Sequence, residues 1–353
     1  MSGRTRGNPP SVGHVTPPAP AGDRTAVLHH LRDDERFLLL AHVAPDGDAL
    51  GSLVAMEGVL KALGKDVLVY VAADDFPLPY EYAFLELRGL VHEVPADLAS
   101  RTVVFLDCGN IDRNPVADLR EEAACLLNVD HHHDNTRFAT VNHVVPEASC
   151  TAEIVWDLMR ALGVDATPEV ADALYVGLVT DTGRFMYENT GTRAHVMAAE
   201  LIEAGVDVQG TYRRLYEEMP YGKLALLGRA LERVERHDEG SLTLTLLTRE
   251  DYALAGAQES YSEGVVDHLR SVRGTKVAAL ARELSAVEGD VEGGARRTKV
   301  SLRSTDGAVD VSAIAREQGG GGHRQAAGFT CALSHDELVA FLRSAICAQL
   351  APA

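Results

Sequence analysis

Basic residues are scarce in this chain: 33 lysines and arginines stand against 52 aspartates and glutamates, for a net charge of −19. Proteins that track duplex phosphates usually carry a basic face, so duplex nucleic acid is not an expected partner. A phosphate compound bound here must be held by metals or by a few placed cations, which favours a short substrate over a polymer. Aromatic residues are also few, at 5%. The five cysteines (108, 125, 150, 331 and 347) are odd in number and form no CxxC pair. A disulfide framework or zinc knuckle is therefore not expected, and reduced thiols are the simpler reading. Long apolar runs are missing too. The longest, such as Phe37-Leu38-Leu39-Leu40-Ala41, has the length of one buried strand and not of a membrane span. The Pro- and Gly-rich residues 1–22 hold no apolar segment suited to a secretory signal; they read as a disordered tail on a cytoplasmic protein.

What is present is the composition of a soluble globular protein, 46% hydrophobic and 24% charged over 353 residues, enough for two domains. From about residue 23 to 207 short apolar strands alternate with amphipathic helices. Strands are expected at Phe37–His42, Asp66–Val71, Thr102–Asp107 and Cys125–Asp130. Helices are expected near Asp48–Leu63, Thr151–Leu162, Pro168–Asp181 and Thr192–Glu203. This alternation predicts an α/β domain with a mostly parallel sheet flanked by helices, with functional groups at the carboxyl ends of its strands. Residues 208–238 read as a charged helical linker. Residues 239–353 read as a smaller α/β domain with strands near Ser241–Leu247, Lys276–Val287 and Arg297–Arg303, a hairpin turn at Gly289–Gly294, and helices at Val311–Arg316 and Ser334–Leu350.

Four clusters of metal-ligand side chains fall at element ends. They are His42-x3-Asp46-x-Asp48, where Gly47 allows a tight bend; Asp107; Asp130-His131-His132-His133; and Asp181. Taken singly, each is ordinary, since an Asp after a strand is most often a turn former or helix cap. His29-His30, on a helix, reads as a solvated pair. Taken together, two histidines and four aspartates converge with too many carboxylates for the fold to hold without cations. Imidazole and carboxylate ligation without thiolate favours Mn²⁺, with Mg²⁺ or Co²⁺ as alternatives, over Zn²⁺ or Ca²⁺.

The ordered set Asp46-Gly47-Asp48, Asp107, Asp130-His131-His132 and Asp181, followed by Gly319-Gly320-Gly321-Gly322-His323, resembles the DHH phosphoesterase superfamily. The likeness is greatest to its NrnA-type branch, in which a DHH domain precedes a DHH-associated domain, and it covers nearly all the chain beyond the tail. The resemblance implies two divalent metal ions. His42 and Asp46 would bind one, Asp48, His131 and Asp181 the other, and Asp107 would bridge them. Such a pair suits phosphoryl hydrolysis by clamping the phosphate and activating a water. His132 is then placed to contact a phosphoryl oxygen or protonate the leaving group, and Asp130 to orient an imidazole. His133 matches no family position. Asn110 stands where many relatives carry an acid, a departure that leaves the ligands intact. Cys108 reads as small-residue packing, since the sequence places no base to activate it.

Glycines 319–322 are either a floppy loop or a backbone cradle for an anion. The resemblance favours the second: Gly320, Gly321 and Gly322 with His323 and Arg324 would hold a substrate phosphate, and Arg303 would be a second contact. Ser149 and Thr151, near a helix start, either donate to phosphate or cap the helix. The activity implied is hydrolysis of short oligoribonucleotides to mononucleotides, with adenosine 3′,5′-bisphosphate as a related substrate; a homodimer is also implied. Competing enzyme classes are a cyclic or linear dinucleotide phosphodiesterase, an inorganic pyro- or polyphosphatase, and a RecJ-like single-strand exonuclease. A nucleotide-sensing module without catalysis would be expected to have lost a ligand, and His42, Asp46, Asp48, Asp107, His131 and Asp181 are all present.

Overall fold

The computed structural model describes residues 21–113, 123–284 and 297–350. The expected disordered tail lies outside them except for Ala21 and Gly22, which open the first helix; the hairpin turn expected at Gly289–Gly294 also lies outside. The chain divides into two compact units between Glu218 and Met219.

In the first unit the order is α1 (Ala21–Asp33), β1 (Arg36–Leu40), α2 (Gly47–Ala62), β2 (Asp66–Tyr70), β3 (Leu90–Val91), β4 (Thr102–Leu106), β5 (Cys125–Asp130), β6 (Val141–Val144), α3 (Thr151–Leu162), α4 (Pro168–Asp181), α5 (Thr192–Glu203) and α6 (Val208–Tyr216). The six strands lie in the order β3-β2-β1-β4-β5-β6, and every pairing is parallel. Side chains alternate across a strand, so a strand buried on both faces must be apolar throughout. Accordingly Phe37 and Leu39 of β1 join Val104, Leu106, Leu127 and Val129 on one face. Leu38 and Leu40 join Val103, Phe105 and Leu126 on the other. The strand order reverses direction at β1, which leaves a crevice beyond the carboxyl ends of β1 and β4.

The second unit contains α7 (Tyr221–Glu232), β7 (Glu235–His237), β8 (Leu242–Leu247), α8 (Arg249–Ala255), α9 (Val265–Arg270), β9 (Val277–Glu283), β10 (Thr298–Ser304), α10 (Val311–Glu317), β11 (Gly321–His323), β12 (Ala326–Cys331) and α11 (His335–Leu350). Its sheet runs β11-β12-β10-β9-β8-β7; β8 and β9 are parallel and the other neighbours antiparallel. Val300, Leu302 and Phe329 pack with Ile314 and Leu342 on one face, and Ala278 and Leu280 with Leu226, Val266 and Leu269 on the other. Among the described residues, no helix is long and apolar enough to cross a membrane.

Three expectations change. The stretch 208–238 is not one helical segment: α6 belongs to the first unit and α7 to the second. Pro220 is the N-cap of α7, and its missing N–H and ring prevent a helix from continuing through it. Residues 235–237, read as helix, form an edge strand whose Glu235 accepts from His335 and His237; charged residues are at home on an edge. The glycine run is only partly a loop, since Gly321–His323 pair with β12. The short β3, β6, α8 and α9 had no counterpart in the sequence reading.

Helices α2 and α4 touch at Gly51, where an added Cβ would fall 2.3 Å from the Ala173 carbonyl oxygen and 3.0 Å from the Gly177 nitrogen. Both neighbours are backbone and cannot rotate away. Gly51→Ala is therefore expected to destabilise the protein by about 1–3 kcal/mol through overpacking, despite alanine's better helix propensity. An unchanged urea midpoint would contradict this helix contact.

Candidate metal centre

The parallel register brings the ligands together. Leu40 pairs with Phe105, so two residues further on His42 stands beside Asp107. Leu106 pairs with Val129, which sets Asp107 next to Asp130 and one residue short of His131. His42 Nε2 lies 3.6 Å from Asp107 Oδ2 and 3.9 Å from Asp46 Oδ2. His131 Nε2 lies 3.6 Å from Asp107 Oδ1 and 3.8 Å from Asp181 Oδ2. The two oxygens of the buried Asp107 thus face different neighbours. Ligand atoms of His42, Asp46 and Asp107 fall within 4.8 Å of one another, as do those of Asp48, His131 and Asp181. Asp107, His131 and His132 form a third such group. These sets have the donors, spacing and burial to hold divalent cations.

Local structure explains the aim of each side chain. Asp46 caps α2 through Oδ1, which accepts from the N–H groups of Asp48 and Ala49 at 3.1 Å each, leaving Oδ2 on the His42 side. The turn before it bends at Ala44, with φ 50°, and not at Gly47 as the sequence suggested. Asp75 accepts from the Ala44 N–H at 3.0 Å and fixes that bend. Gly47 is needed for space, because a Cβ there would lie 2.5 Å from Thr180 Oγ1. His42 Nδ1 donates to the Val43 carbonyl at 2.8 Å; a carbonyl only accepts, so the Nε2 lone pair is the one turned toward Asp46 and Asp107. Asp107 itself is left-handed, with φ 57°, a conformation that aspartate tolerates better than most residues.

Asp48 accepts from the α3 amides, Thr151 N at 2.6 Å and Ala152 N at 2.9 Å. The helix N-terminus read as either a phosphate donor or a capped end therefore serves the carboxylate of a candidate ligand. Ser149 is buried and its N–H donates to Glu153 at 3.0 Å. Asp130 accepts from His132 Nδ1 at 2.8 Å and from Asn135. Nothing in the sequence connects two further partners with the candidate ligands. Thr151 Oγ1 donates to Asp107 Oδ1 at 3.0 Å. Asn189 Nδ2 donates to Asp181 Oδ2 at 3.1 Å and to the Ser149 carbonyl at 2.8 Å.

The remaining candidates lie in the second unit. Arg303 is half-buried on β10 and donates to the Leu302 carbonyl; Arg324 is exposed and donates to the Gly307 carbonyl at 3.1 Å. Register sets Arg303 opposite Ala326, and Ala326 opposite His323, in one row across three strands. The side chain of His323 lies outside the described positions.

Charge crowding divides the carboxylates. Burial alone would raise Asp107, but the adjacent imidazoles of His42, His131 and His132 hold it well below the usual carboxylate range. Burial and the neighbouring Asp107, Asp181 and Asp46 push Asp48 well above it. Desolvation, with Asp107 and Asp46 adding repulsion, pushes Asp181 up to about 7.

A parallel sheet carrying two candidate carboxylate–imidazole ligand sets where its strand order reverses is the framework of a metal-dependent hydrolase. Two family models match, the DHH family N-terminal domain over residues 36–178 and the DHHA1 domain over residues 252–350. The chain belongs to the DHH family. It is 37% identical over 296 residues to the bifunctional oligoribonuclease and PAP phosphatase NrnA of Thermus thermophilus, covering 83% of each. It is 24% identical to the protein of that name from Bacillus subtilis, covering 86% of this chain and 92% of the relative. The fold matches the crystal structure of an exopolyphosphatase-related protein from Bacteroides fragilis with a TM-score of 0.82 at 24% identity, over 92% of this chain and 95% of that one.

A pH dependence follows for the metal-free protein. Asp48 and Asp181 bind protons more tightly folded than unfolded, so their contribution to stability is complete below about pH 4 and is lost as pH rises through their raised pKa values, about 7 for Asp181. Asp107, shifted the other way, is ionised throughout that window and contributes no slope there. Melting in the presence of a chelator should therefore fall by several degrees between pH 5 and 8, at about 2–4 °C per kcal/mol. Added Mn²⁺ should raise the Tm more at pH 8 than at pH 5. A metal-free Tm that climbs steadily across that range would refute the shifts.

Proposed function

We propose that this protein hydrolyses short oligoribonucleotides, from dinucleotides to a few residues, to mononucleotides, and removes the 3′-phosphate of adenosine 3′,5′-bisphosphate. The observation that carries this reading is Asp107, with one oxygen toward His42 and the other toward His131, between ligand sets suited to a pair of cations. The names of the Thermus and Bacillus relatives support the substrate class. The acidic composition, net −19, offers no general basic surface for a long polymer.

Mn²⁺ is the proposed ion, with Mg²⁺ or Co²⁺ as alternatives, held by His42, Asp46 and Asp107 on one side and by Asp48, His131, Asp181 and Asp107 on the other. Two bound cations supply charge stabilisation for the phosphoryl group and acidification of a nucleophilic water. His132 is the proposed general acid or phosphoryl contact. Its Nδ1 donates to Asp130, which fixes the tautomer and the ring and commits Nε2 to the other edge. Arg303, Gly320, Gly321, Gly322, His323 and Arg324 are proposed as phosphate-binding groups of the C-terminal unit. Ser149, being buried, is dropped from that set.

Two measurements test the reading. With Mn²⁺ and 5′-labelled RNA of two to about twenty nucleotides, spanning the usual short single-strand sites, turnover should fall with length; equal or faster cleavage of the longest would sink the assignment. Faster phosphate release from pyrophosphate than from any nucleotide would instead favour a pyrophosphatase. His132→Ala should lower kcat by about 10²–10⁴-fold while metal content stays near the wild-type level. Wild-type kcat in that variant would remove His132 from the chemistry.

A further inference from the structure

The first turn of α3 touches two of the proposed ligands, and the segment just before it is tied to a third through Asn189. Thr151 N and Ala152 N donate to the two oxygens of Asp48, the Thr151 hydroxyl donates to Asp107 Oδ1, and Asn189 ties Asp181 to the Ser149 carbonyl. Glu153 closes this turn from behind, accepting from Ser149 N and from Arg193 Nε. Thr151 is fully buried, so it does not meet substrate. It contacts both Asp48 and Asp107, one through its amide and the other through its hydroxyl.

The hydroxyl bond falls on Oδ1, the oxygen facing His131 at 3.6 Å, while Oδ2 faces His42 at 3.6 Å. A carboxylate turns readily about its terminal torsion, and a bridging one must keep a distinct oxygen toward each ion. His42 stands against one end of the group. A 3.0 Å hydrogen bond from a β-branched side chain anchored at a helix start, stiff about χ1, fixes the other. We propose that Thr151 is a positioning residue that holds the Asp107 carboxylate in its bridging orientation and thereby sets the affinity of the second cation. The inference rests on the two-metal reading of the site and not on the identity of the substrate. Partners that orient a metal ligand typically contribute 10–100-fold to metal affinity.

Thr151→Val removes the hydroxyl while keeping the β-branch and the amide that serves Asp48; Thr151→Ser keeps both donors. Mn²⁺ titration followed by calorimetry and low-temperature EPR reads the result without any turnover. Wild-type and Thr151→Ser proteins should bind two ions per chain and show the signal of a spin-coupled pair. Thr151→Val should bind the first ion normally and the second about 10–100-fold more weakly, so that isolated-ion signal dominates at two equivalents. A role in folding alone would lower the metal-free Tm of the valine variant and leave the ratio of the two affinities unchanged, which would overturn the proposal. Failure of Thr151→Ser to restore the coupled pair would also overturn it. If the valine variant does not fold, Thr151→Ala reads the same ratio. A wild-type chain that binds a single ion would overturn it together with the two-metal reading, whereas poor RNA turnover with normal binding of two ions would touch only the substrate assignment.

Discussion

Four carboxylates, from Asp46, Asp48, Asp107 and Asp181, share a space a few ångströms across with three imidazoles, and the rest of the first unit is arranged to tolerate them. Like charges at such separations repel by several kcal/mol even at an intermediate effective dielectric. Each aspartate is given a different counterweight. Asp46 spends one oxygen on the N-terminal amides of α2, and Asp48 sits on those of α3, where the helix dipole favours an anion. Asp107 takes the imidazoles and the Thr151 hydroxyl. Asp181 has the least support, the Asn189 amide and a distant His131, and its carboxyl is pushed up to about 7. The compensation is incomplete, and the shortfall is what a divalent ion would supply.

That arrangement is possible because a parallel sheet delivers all its strand ends to one side. β1, β4 and β5 are neighbours in register, so His42, Asp107 and the Asp130-His131-His132 run emerge side by side although nearly ninety residues of sequence separate the first from the last. Helices α2 and α3 then begin at the same end, which puts two positive N-termini where the negative charge is greatest. The close approach of α2 to α4 at Gly51 and Gly177 brings Asp181, the last residue of α4, up to the strand ends. Glycine at these contacts serves the active-site geometry through packing.

Much of this was legible in the sequence, for identifiable reasons. β5, α3, α4 and α5 have the bounds read from sequence because each carries a strong local signal: Cys125–Asp130 is a compact apolar run, α3 stops at left-handed Gly163, and α4 starts with Pro168 behind the Thr167 cap. The candidate ligands stand out because each lies at the end of such an element. What stayed hidden depends on contacts between distant segments. Nothing near Thr151 or Asn189 says that they reach Asp107 or Asp181, and flanks rich in helix formers disguise the break at Pro220. Ala44 carries the bend attributed to Gly47 because Asp75, thirty-one residues away, holds its amide.

The glycine run of the second unit shows how structure divides a motif that sequence presents whole. Gly319, at φ 74°, ends α10, and the Gly320 N–H returns to the Ala315 carbonyl at 2.9 Å, the hydrogen bonding of a helix C-cap. A Cβ on Gly320 would fall 2.2 Å from the Gly328 carbonyl oxygen, and one on Gly322, at φ 134°, 2.5 Å from that of Ala326. Those three glycines are demanded by the fold, whatever binds there. Gly321 has no atom within 4 Å of a built Cβ and an ordinary φ, so neither packing nor conformation requires it. An exposed glycine backbone next to the Arg303–Ala326–His323 row is what close approach of an anion needs, and the proposed phosphate role rests on that position more than on its neighbours.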